Sequence, residues 1–107
     1  MKTSSAKSKG RRLQQLVVQK LLDKFKQLTE RDMQSTPMGC TGDDIKLSET
    51  AYKMFPYSVE CKNQERLNIW DALKQANGRQ GTPLLVFSRN RTPVYCALTL
   101  DDFLKLI

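Results

Sequence analysis

The segment Tyr57-Ser58-Val59-Glu60-Cys61-Lys62 decides how this sequence is interpreted. Its residues alternate as in a β-strand, with an apolar side and a side that carries Ser58, Glu60 and Lys62. Glu60 and Lys62 stand at i and i+2, so their side chains project the same way. A strand with such an apolar face should lie inside the sheet, where an ionised Glu and Lys are costly unless they pair or serve a site. The segment therefore predicts a strand with one packing face and one functional face.

The residues before this strand change character near Gly10. Residues 1–9 are mostly Ser, Thr and Lys, so we expect a flexible basic arm. From Arg11 onward, apolar residues recur mostly at spacings of three and four, which predicts an amphipathic helix from about Ser8 or Gly10 to Leu28. Because 107 residues is the length of one ordinary domain, residues 10–107 are expected to form a single domain.

The remaining elements are short and alternate in type. The predicted elements are a turn-rich pair of short strands within 29–47, of which 44–47 is the clearer, a helical turn over 48–54, a helix over 67–76, strands over 83–87 and 94–98 joined as a hairpin, and a closing helix over 101–106. This order indicates an α/β fold with a mixed central sheet flanked by helices.

The charge balance points to a polyanionic partner. Lys and Arg number 18 against 11 Asp and Glu, for a net charge of +7. The first 26 residues carry eight of the basic residues and only one acid. Nucleic acid is the favoured partner. The alternatives are that the charge serves only solubility, or that it attracts the protein to a membrane surface. The chain has no histidine, which leaves carboxylates, lysine, hydroxyls, thiols and bound metal for any catalysis.

The cysteines and the apolar runs indicate where the protein works. Cys40, Cys61 and Cys96 lie far apart and come with no histidine, so neither a zinc site nor a disulfide framework is expected. Free thiols suit a reducing cytosol. No apolar run approaches the ~20 residues that span a bilayer. We expect a cytoplasmic protein with no membrane partner.

Glu60 and Lys62 suit metal-assisted phosphodiester hydrolysis. That reaction needs oxygen ligands for a hard divalent cation and a positive charge near the attacking water or the phosphate. Spacing cannot choose a second carboxylate among eleven acids, but Asp44 is the best candidate, because it follows Gly42 at a predicted strand start shortly before Glu60. The alternative is that Glu60 and Lys62 form an ion pair that stabilises little.

Three segments of the chain together resemble a known family. They are Lys9-Gly10 opening the first helix, Gly42-Asp43-Asp44-Ile45, and Glu60-Cys61-Lys62. They resemble the PD-(D/E)XK nuclease superfamily, and more closely its small phage-type and archaeal Holliday-junction-resolvase-like members. The resemblance covers nearly the whole chain and implies a restriction-endonuclease-like core with the order αβββαβ.

The resemblance also implies a function. It is that of a magnesium-dependent DNA endonuclease, with Mn²⁺ as a possible substitute, and most specifically of a Holliday junction resolvase in DNA recombination and repair. A phage-encoded enzyme would act in the host cytoplasm. The alternatives are a nicking or repair endonuclease on flap or single-stranded DNA, and a basic DNA-binding module that does not cut.

Carried over residue by residue, the resemblance implies roles for the three candidates. Asp44 and Glu60 would bind the metal, assisted by the backbone carbonyl of Cys61, and Lys62 would position water and phosphate. Asp43 competes with Asp44, and no proline precedes it; the family spacing favours Asp44.

Two glutamines are further catalytic candidates. Gln14 stands where resolvase-like relatives have a glutamate in the first helix. It can orient a water or a metal ligand, but it supplies no negative charge, which leaves one- and two-metal mechanisms open. Gln75 lies on the second helix, where related nucleases often have a glutamine that points into the site. A solvated surface glutamine is the alternative for Gln75.

Substrate binding and assembly follow from the same reasoning. The candidate phosphate contacts are arginines and one lysine from the arm, the first helix and the hairpin: Lys9, Arg11, Arg12, Arg89 and Arg91. A solvated basic surface is the alternative. A four-way junction needs two coordinated cuts, and a domain this small has one site, so the resemblance implies a homodimer. Trp70 is expected to make a core or dimer contact, with stacking on an exposed base as the alternative.

Overall fold

The computed structural model describes residues 2–37 and 39–107. The elements in these residues are α1 (Lys2–Lys24), β1 (Met33–Ser35), β2 (Ile45–Leu47), α2 (Glu49–Met54), β3 (Tyr57–Asn63), α3 (Ile69–Ala76), β4 (Thr82–Ser88), β5 (Tyr95–Ala97) and α4 (Leu100–Leu104). Met1 of the expected arm and Met38 of the turn-rich stretch lie outside the described residues.

The strands form two small sheets that meet at β3. Strands β3, β4 and β5 form a mixed sheet in that order, with β3 parallel to β4 and β4 antiparallel to β5. Strands β1 and β2 form an antiparallel pair. The Asp44 N–H, just before β2, donates to the Val59 carbonyl at 3.0 Å, which places the start of β2 beside β3. Beyond Val59, the same edge of β3 faces the site described below.

The core lies between α1 and the three-stranded sheet. Leu13 and Val17 of α1 pack with Ile45, Val59 and Val86 in one buried cluster. Side chains alternate along a strand, so Ser58, Glu60 and the fully buried Leu85 project from the opposite face. Helix α3 contacts β3 and β4 there through its buried alanines. The sheet is therefore covered on both faces.

The first helix differs from its prediction at both ends. It begins at Lys2, so residues 2–9 continue the helix and Lys9-Gly10 lies within it instead of opening it. Apolar periodicity could not reveal this part, which contains neither Pro nor Gly and extends past the core. The helix ends at Lys24, not at Leu28, although Leu28 is buried. A separate turn, in which the Leu28 N–H donates to the Phe25 carbonyl, continues the apolar spacing beyond the helix.

The other predicted elements are confirmed to within a few residues. Helix α2 begins where expected because Ser48 caps it, with the Ser48 hydroxyl accepting from the Ala51 N–H. Helix α3 begins after Asn68, which caps it in the same way, and is shorter than predicted. The hairpin between β4 and β5 is also present.

This architecture confirms the predicted α/β fold. A mixed sheet flanked by helices is compatible with a restriction-endonuclease-like core, and α2 is inserted between the second and third strands of the αβββαβ order. In the described part of the chain, no helix is long and apolar enough to cross a membrane.

The aromatic residues at the far side of the sheet are less buried than expected. Trp70 is 76% exposed, which contradicts a core position for it. Tyr95 and Phe103 are about half exposed. The reason is that β5 is the outer strand of the sheet, so its outward edge and the helix after it lack a covering element among the described residues.

Candidate active site at the edge of strand β3

Asp44 is fixed by two contacts with β3. Its backbone N–H donates to the Val59 carbonyl at 3.0 Å, and its side-chain Oδ2 accepts a hydrogen bond from the Cys61 N–H at 2.6 Å. The Asp44 carboxylate thus accepts the hydrogen bond that a backbone carbonyl of a neighbouring strand would otherwise accept from Cys61. Since Cys61 directly follows Glu60, Asp44 is held beside Glu60, as the strand pattern predicted.

Glu60 lies between two cations. The Lys62 Nζ is 3.5 Å from Glu60 Oε2, which confirms that the i and i+2 side chains share a face. The Arg79 Nη1 is 3.2 Å from Glu60 Oε1. Arg79 comes from the connection between α3 and β4. Glu60 is 6% exposed, so this charge is buried and paired from both sides.

A cleft of about 190 Å³ opens between α1 and this edge of β3. Ala6, Gly10 and Gln14, spaced four residues apart, form its α1 side. The opposite side contains the predicted catalytic residues Asp44, Glu60 and Lys62, together with Cys61, Asn63 and Gln64. The cleft therefore collects Gln14, Asp44, Glu60 and Lys62 in one place.

The two carboxyl groups are strained electrostatically. Burial raises the pKa of Asp44, and the Cys61 N–H, Lys62 and Arg79 only partly oppose this effect. Burial, and secondarily the charge of Asp44, raises the pKa of Glu60 against the opposing effect of Lys62 and Arg79. Neighbouring carboxyl groups whose ionisation the protein disfavours are typical of sites that hold a cation.

Cys61 is a core residue and not a nucleophile. Its side chain packs in the cluster with Leu13 and Val17, on the face opposite Glu60. Burial raises the pKa of its thiol far above the ordinary range, so the thiolate needed for attack does not form. The contribution of Cys61 to the cleft is its backbone.

The donor set fits a hard divalent cation. Among the described residues, no three His, Cys, Asp or Glu side chains are grouped to hold a metal, so Asp44 and Glu60 are the acidic pair. Gln14 Oε1 and Asn63 Oδ1 are buried beside them and have no hydrogen-bond partner in the described part of the protein. Carboxylate and amide oxygens are ligands of Mg²⁺, and a buried amide oxygen without a partner is costly unless something binds it.

Gln75 is not brought to the cleft. It lies exposed on α3 and is absent from the cleft wall. The reason is its register, because the neighbouring Ala76 and Ala72 occupy the buried stripe of α3. A role for Gln75 in catalysis is not supported by this position.

The predicted phosphate contacts come from α1 and from the connection between β4 and β5. Lys9 is half-buried on α1 beside Gly10, and Arg11 and Arg12 are exposed further along that helix. Arg89 and Arg91 are exposed in the connection between β4 and β5. All of them are accessible to a polyanion.

Sequence reasoning missed Arg79 and Asn63. Asn63 ends β3 directly after Lys62, but strand alternation assigns its side chain to the face opposite Glu60 and Lys62, so the pattern carried no signal for it. Arg79 follows the Asn77-Gly78 helix stop and resembles any loop arginine. Its contacts with Glu60 depend on the path of the chain from α3 to β4, which no local pattern reveals.

An α/β fold with two carboxylates and a lysine at one sheet edge has the organisation of a restriction-endonuclease-like nuclease. Residues 5–106 match the family model described as "Phage putative PDDEXK endonuclease". The chain belongs to this family, which confirms the resemblance to phage-type PD-(D/E)XK nucleases. Such nucleases generally use divalent metal ions, and DNA is their substrate. No curated protein and no solved structure matches the chain.

Proposed function

We propose that this chain is a Mg²⁺-dependent endonuclease that hydrolyses DNA phosphodiester bonds as a Holliday junction resolvase on branched DNA. The observation that carries the proposal is the convergence of Asp44, Glu60 and Lys62 on one cleft. A phage-encoded resolvase would act in recombination and repair of DNA in the host cytoplasm.

In this proposal each group of the cleft has a separate task. Asp44 and Glu60 would hold the Mg²⁺, or Mn²⁺ in its place, together with the backbone carbonyl of Cys61. The N–H and C=O of a strand residue point to the same edge, and the Cys61 N–H points to Asp44, which supports this third ligand. Gln14 would orient a water or a ligand through Oε1. When bound, the ion would lower the pKa of the attacking water and polarise the phosphate.

Lys62 has a different role from the carboxylates. Its ammonium group lines the cleft and is held by Glu60, so it is available to orient the attacking water or to neutralise charge on the phosphate. Its side chain is only 21% exposed, which limits the screening of its charge by solvent.

DNA would cross the cleft from α1 to the β4–β5 connection. Gln64 lines both the cleft and a neighbouring depression that Arg89 also lines, so the two surfaces are continuous. Lys9, Arg11 and Arg12 on α1 would hold phosphates at one end, and Arg89 and Arg91 at the other.

Resolution of a four-way junction requires two active sites, so we propose a homodimer. Trp70 is 76% exposed and lines a groove with Leu73 and Leu98 beside β5, which supports this proposal, because exposed apolar patches mark protein interaction sites.

The experiment that tests the function uses purified full-length protein. It is incubated with a synthetic four-way junction, a flap, a duplex and single-stranded DNA, with and without Mg²⁺. We expect paired cuts in the junction that depend on Mg²⁺. Preferred cleavage of the flap or single strand would indicate a nicking or repair endonuclease, and binding without any cleavage would indicate a DNA-binding module.

Lys62→Ala is the decisive variant. Because Lys62 acts on the reacting groups, we expect its removal to lower the cleavage rate about 100-fold or more while most of the DNA affinity remains. Single-turnover cleavage and a binding assay on the same junction measure the two effects. The matched control is Lys53→Ala, which also removes a lysine paired with a glutamate, but at an exposed position on α2. Equal rates for the two variants would refute the role of Lys62.

A further inference from the structure

We propose that Arg79 is a positioning residue that holds Glu60 and the Gly42-Asp43 segment from behind the cleft, so that both metal-binding carboxylates are kept aligned. The inference rests on the proposed function and adds to it a residue that belongs to none of the three sequence motifs.

A single nitrogen atom of Arg79 connects the two halves of the site. Its Nη1 donates a hydrogen bond to the Gly42 carbonyl at 2.6 Å and lies 3.3 Å from Asp43 Oδ1. The same atom lies 3.2 Å from Glu60 Oε1. Gly42 and Asp43 lead into Asp44, whereas Glu60 belongs to β3. Arg79 thus ties together the two chain segments that supply the acidic pair.

The two cations beside Glu60 contact different oxygens. Lys62 contacts Oε2 and lines the cleft, whereas Arg79 contacts Oε1 and is not part of the cleft wall. Glu60 Oε1 is buried and has no aligned hydrogen bond among the described residues, so the Arg79 ion pair is what compensates its charge. Arg79 would therefore leave Oε2 as the oxygen that Glu60 presents to the ion.

The same contacts fix the second carboxylate indirectly. Asp44 directly follows Asp43, and its own oxygen accepts from the Cys61 N–H. With Gly42 and Asp43 anchored by Arg79, the backbone that enters β2 has little freedom to move Asp44 away from Glu60. Residues that orient metal ligands in this way change metal affinity or activity by roughly 10–100-fold when they are removed.

The charge of Arg79 has the opposite consequence from its geometry. A cation beside two carboxylates weakens their attraction for a divalent ion. If charge alone mattered, Arg79→Ala would bind divalent ions more tightly. If positioning matters, the variant binds them more weakly. The direction of the change therefore separates the two roles.

The test measures Mn²⁺ binding to the full-length protein by isothermal titration calorimetry. We expect Arg79→Ala to bind Mn²⁺ at least about tenfold more weakly than the unmodified chain. Arg79→Lys should recover part of the affinity, because one nitrogen makes all three contacts. Arg31→Ala, which removes an exposed arginine between α1 and β1, is the matched control and should bind like the unmodified chain.

Cleavage kinetics give a second readout. Because Arg79 does not line the cleft, Arg79→Ala should lower kcat with little change in the KM for DNA. Unchanged or tighter Mn²⁺ binding by folded Arg79→Ala would overturn the inference. If that variant does not fold, Asp43→Ala removes one of the three contacts, and its Mn²⁺ affinity should fall by a smaller factor; an unchanged affinity would also overturn it. If the unmodified chain neither bound Mn²⁺ nor cleaved DNA, the proposed function would be refuted instead.

Discussion

At the scale of single residues, the site is a region where stability and chemistry conflict. Glu60 is buried and Asp44 is half-buried beside it, and burial raises the pKa of both carboxyl groups, so the folded protein disfavours their ionised forms. A divalent cation would relieve this conflict. Carboxylates whose ionisation destabilises the folded protein are typical of functional sites.

Asp44→Asn is expected to stabilise the protein while it abolishes cleavage. The raised pKa means that the folded state binds the Asp44 proton more tightly than the unfolded state. The free energy of unfolding therefore falls as the pH rises from the ordinary aspartate range through the raised pKa. The neutral asparagine avoids this loss. Urea denaturation without metal should show a gain at pH 7 that disappears in acid, where Asp44 is protonated.

The control for this prediction is Asp23→Asn, an exposed aspartate on α1. Its stability should match that of the unmodified chain at both pH values. Adding Mg²⁺ should stabilise the unmodified chain more than Asp44→Asn, because only the former keeps both carboxylates. A less stable Asp44→Asn at pH 7 would contradict the explanation.

The sequence allowed much of the site to be predicted, for a physical reason. Asp44 lies just before β2, and Glu60 and Lys62 lie on the neighbouring strand β3, which is close in the chain, so alternation and order suffice to bring them together. Gln14 was found through the family resemblance. Arg79 could not be found, because its contacts with Glu60 depend on where a crossover connection passes, and this is a property of the tertiary fold.

At the scale of elements, the predictions were most accurate where a capping side chain fixes the start of a helix. Ser48 and Asn68 cap α2 and α3 through side-chain oxygens, and those boundaries were predicted closely. Helix α1 was predicted least accurately. Its first residues project beyond the core, and Gly10 stands inside it, although glycine costs about 1 kcal/mol relative to alanine in a helix.

The entry into β4 depends on Gly81. A Cβ atom added there would lie 2.8 Å from the Ser58 nitrogen and 2.8 Å from the Tyr57 carbonyl carbon, both backbone atoms of β3. Gly81→Ala should therefore force β3 and β4 apart and destabilise the protein by about 1–3 kcal/mol. Chemical denaturation measures the change. Gln80→Ala, an exposed neighbour, should stay within about 0.5 kcal/mol of the unmodified chain; an equal loss in both would argue against the steric cause.

At the scale of the whole molecule, charge and apolar surface are separated. The cleft and the basic side chains of α1 lie at one edge of the three-stranded sheet, beside β3. The exposed apolar side chains lie at the other end, beside β5, where Trp70, Leu100 and Ile107 are each at least 70% exposed. A partner bound at the β5 end would leave the cleft open to DNA.

Trp70→Ser should weaken the proposed homodimer. Burial of a large aromatic side chain contributes strongly to interface stability, so its loss should shift the protein from dimer to monomer. Size-exclusion chromatography with light scattering, over a range of concentrations, measures the mass. Leu16→Ser, which removes an exposed leucine of α1, should leave the mass unchanged. A monomeric mass for the unmodified chain at all concentrations would refute the dimer.

The burial of Cys61 has a practical consequence. Of the three free thiols, Cys40 and Cys96 are exposed, while Cys61 is enclosed and stays protonated. Maleimide dyes should therefore attach to Cys40 and Cys96 and leave the middle residue of the Glu60 to Lys62 segment unmodified. Single-thiol variants could then carry fluorophores that report how a labelled DNA strand lies across the molecule, without altering the groups that would cut it.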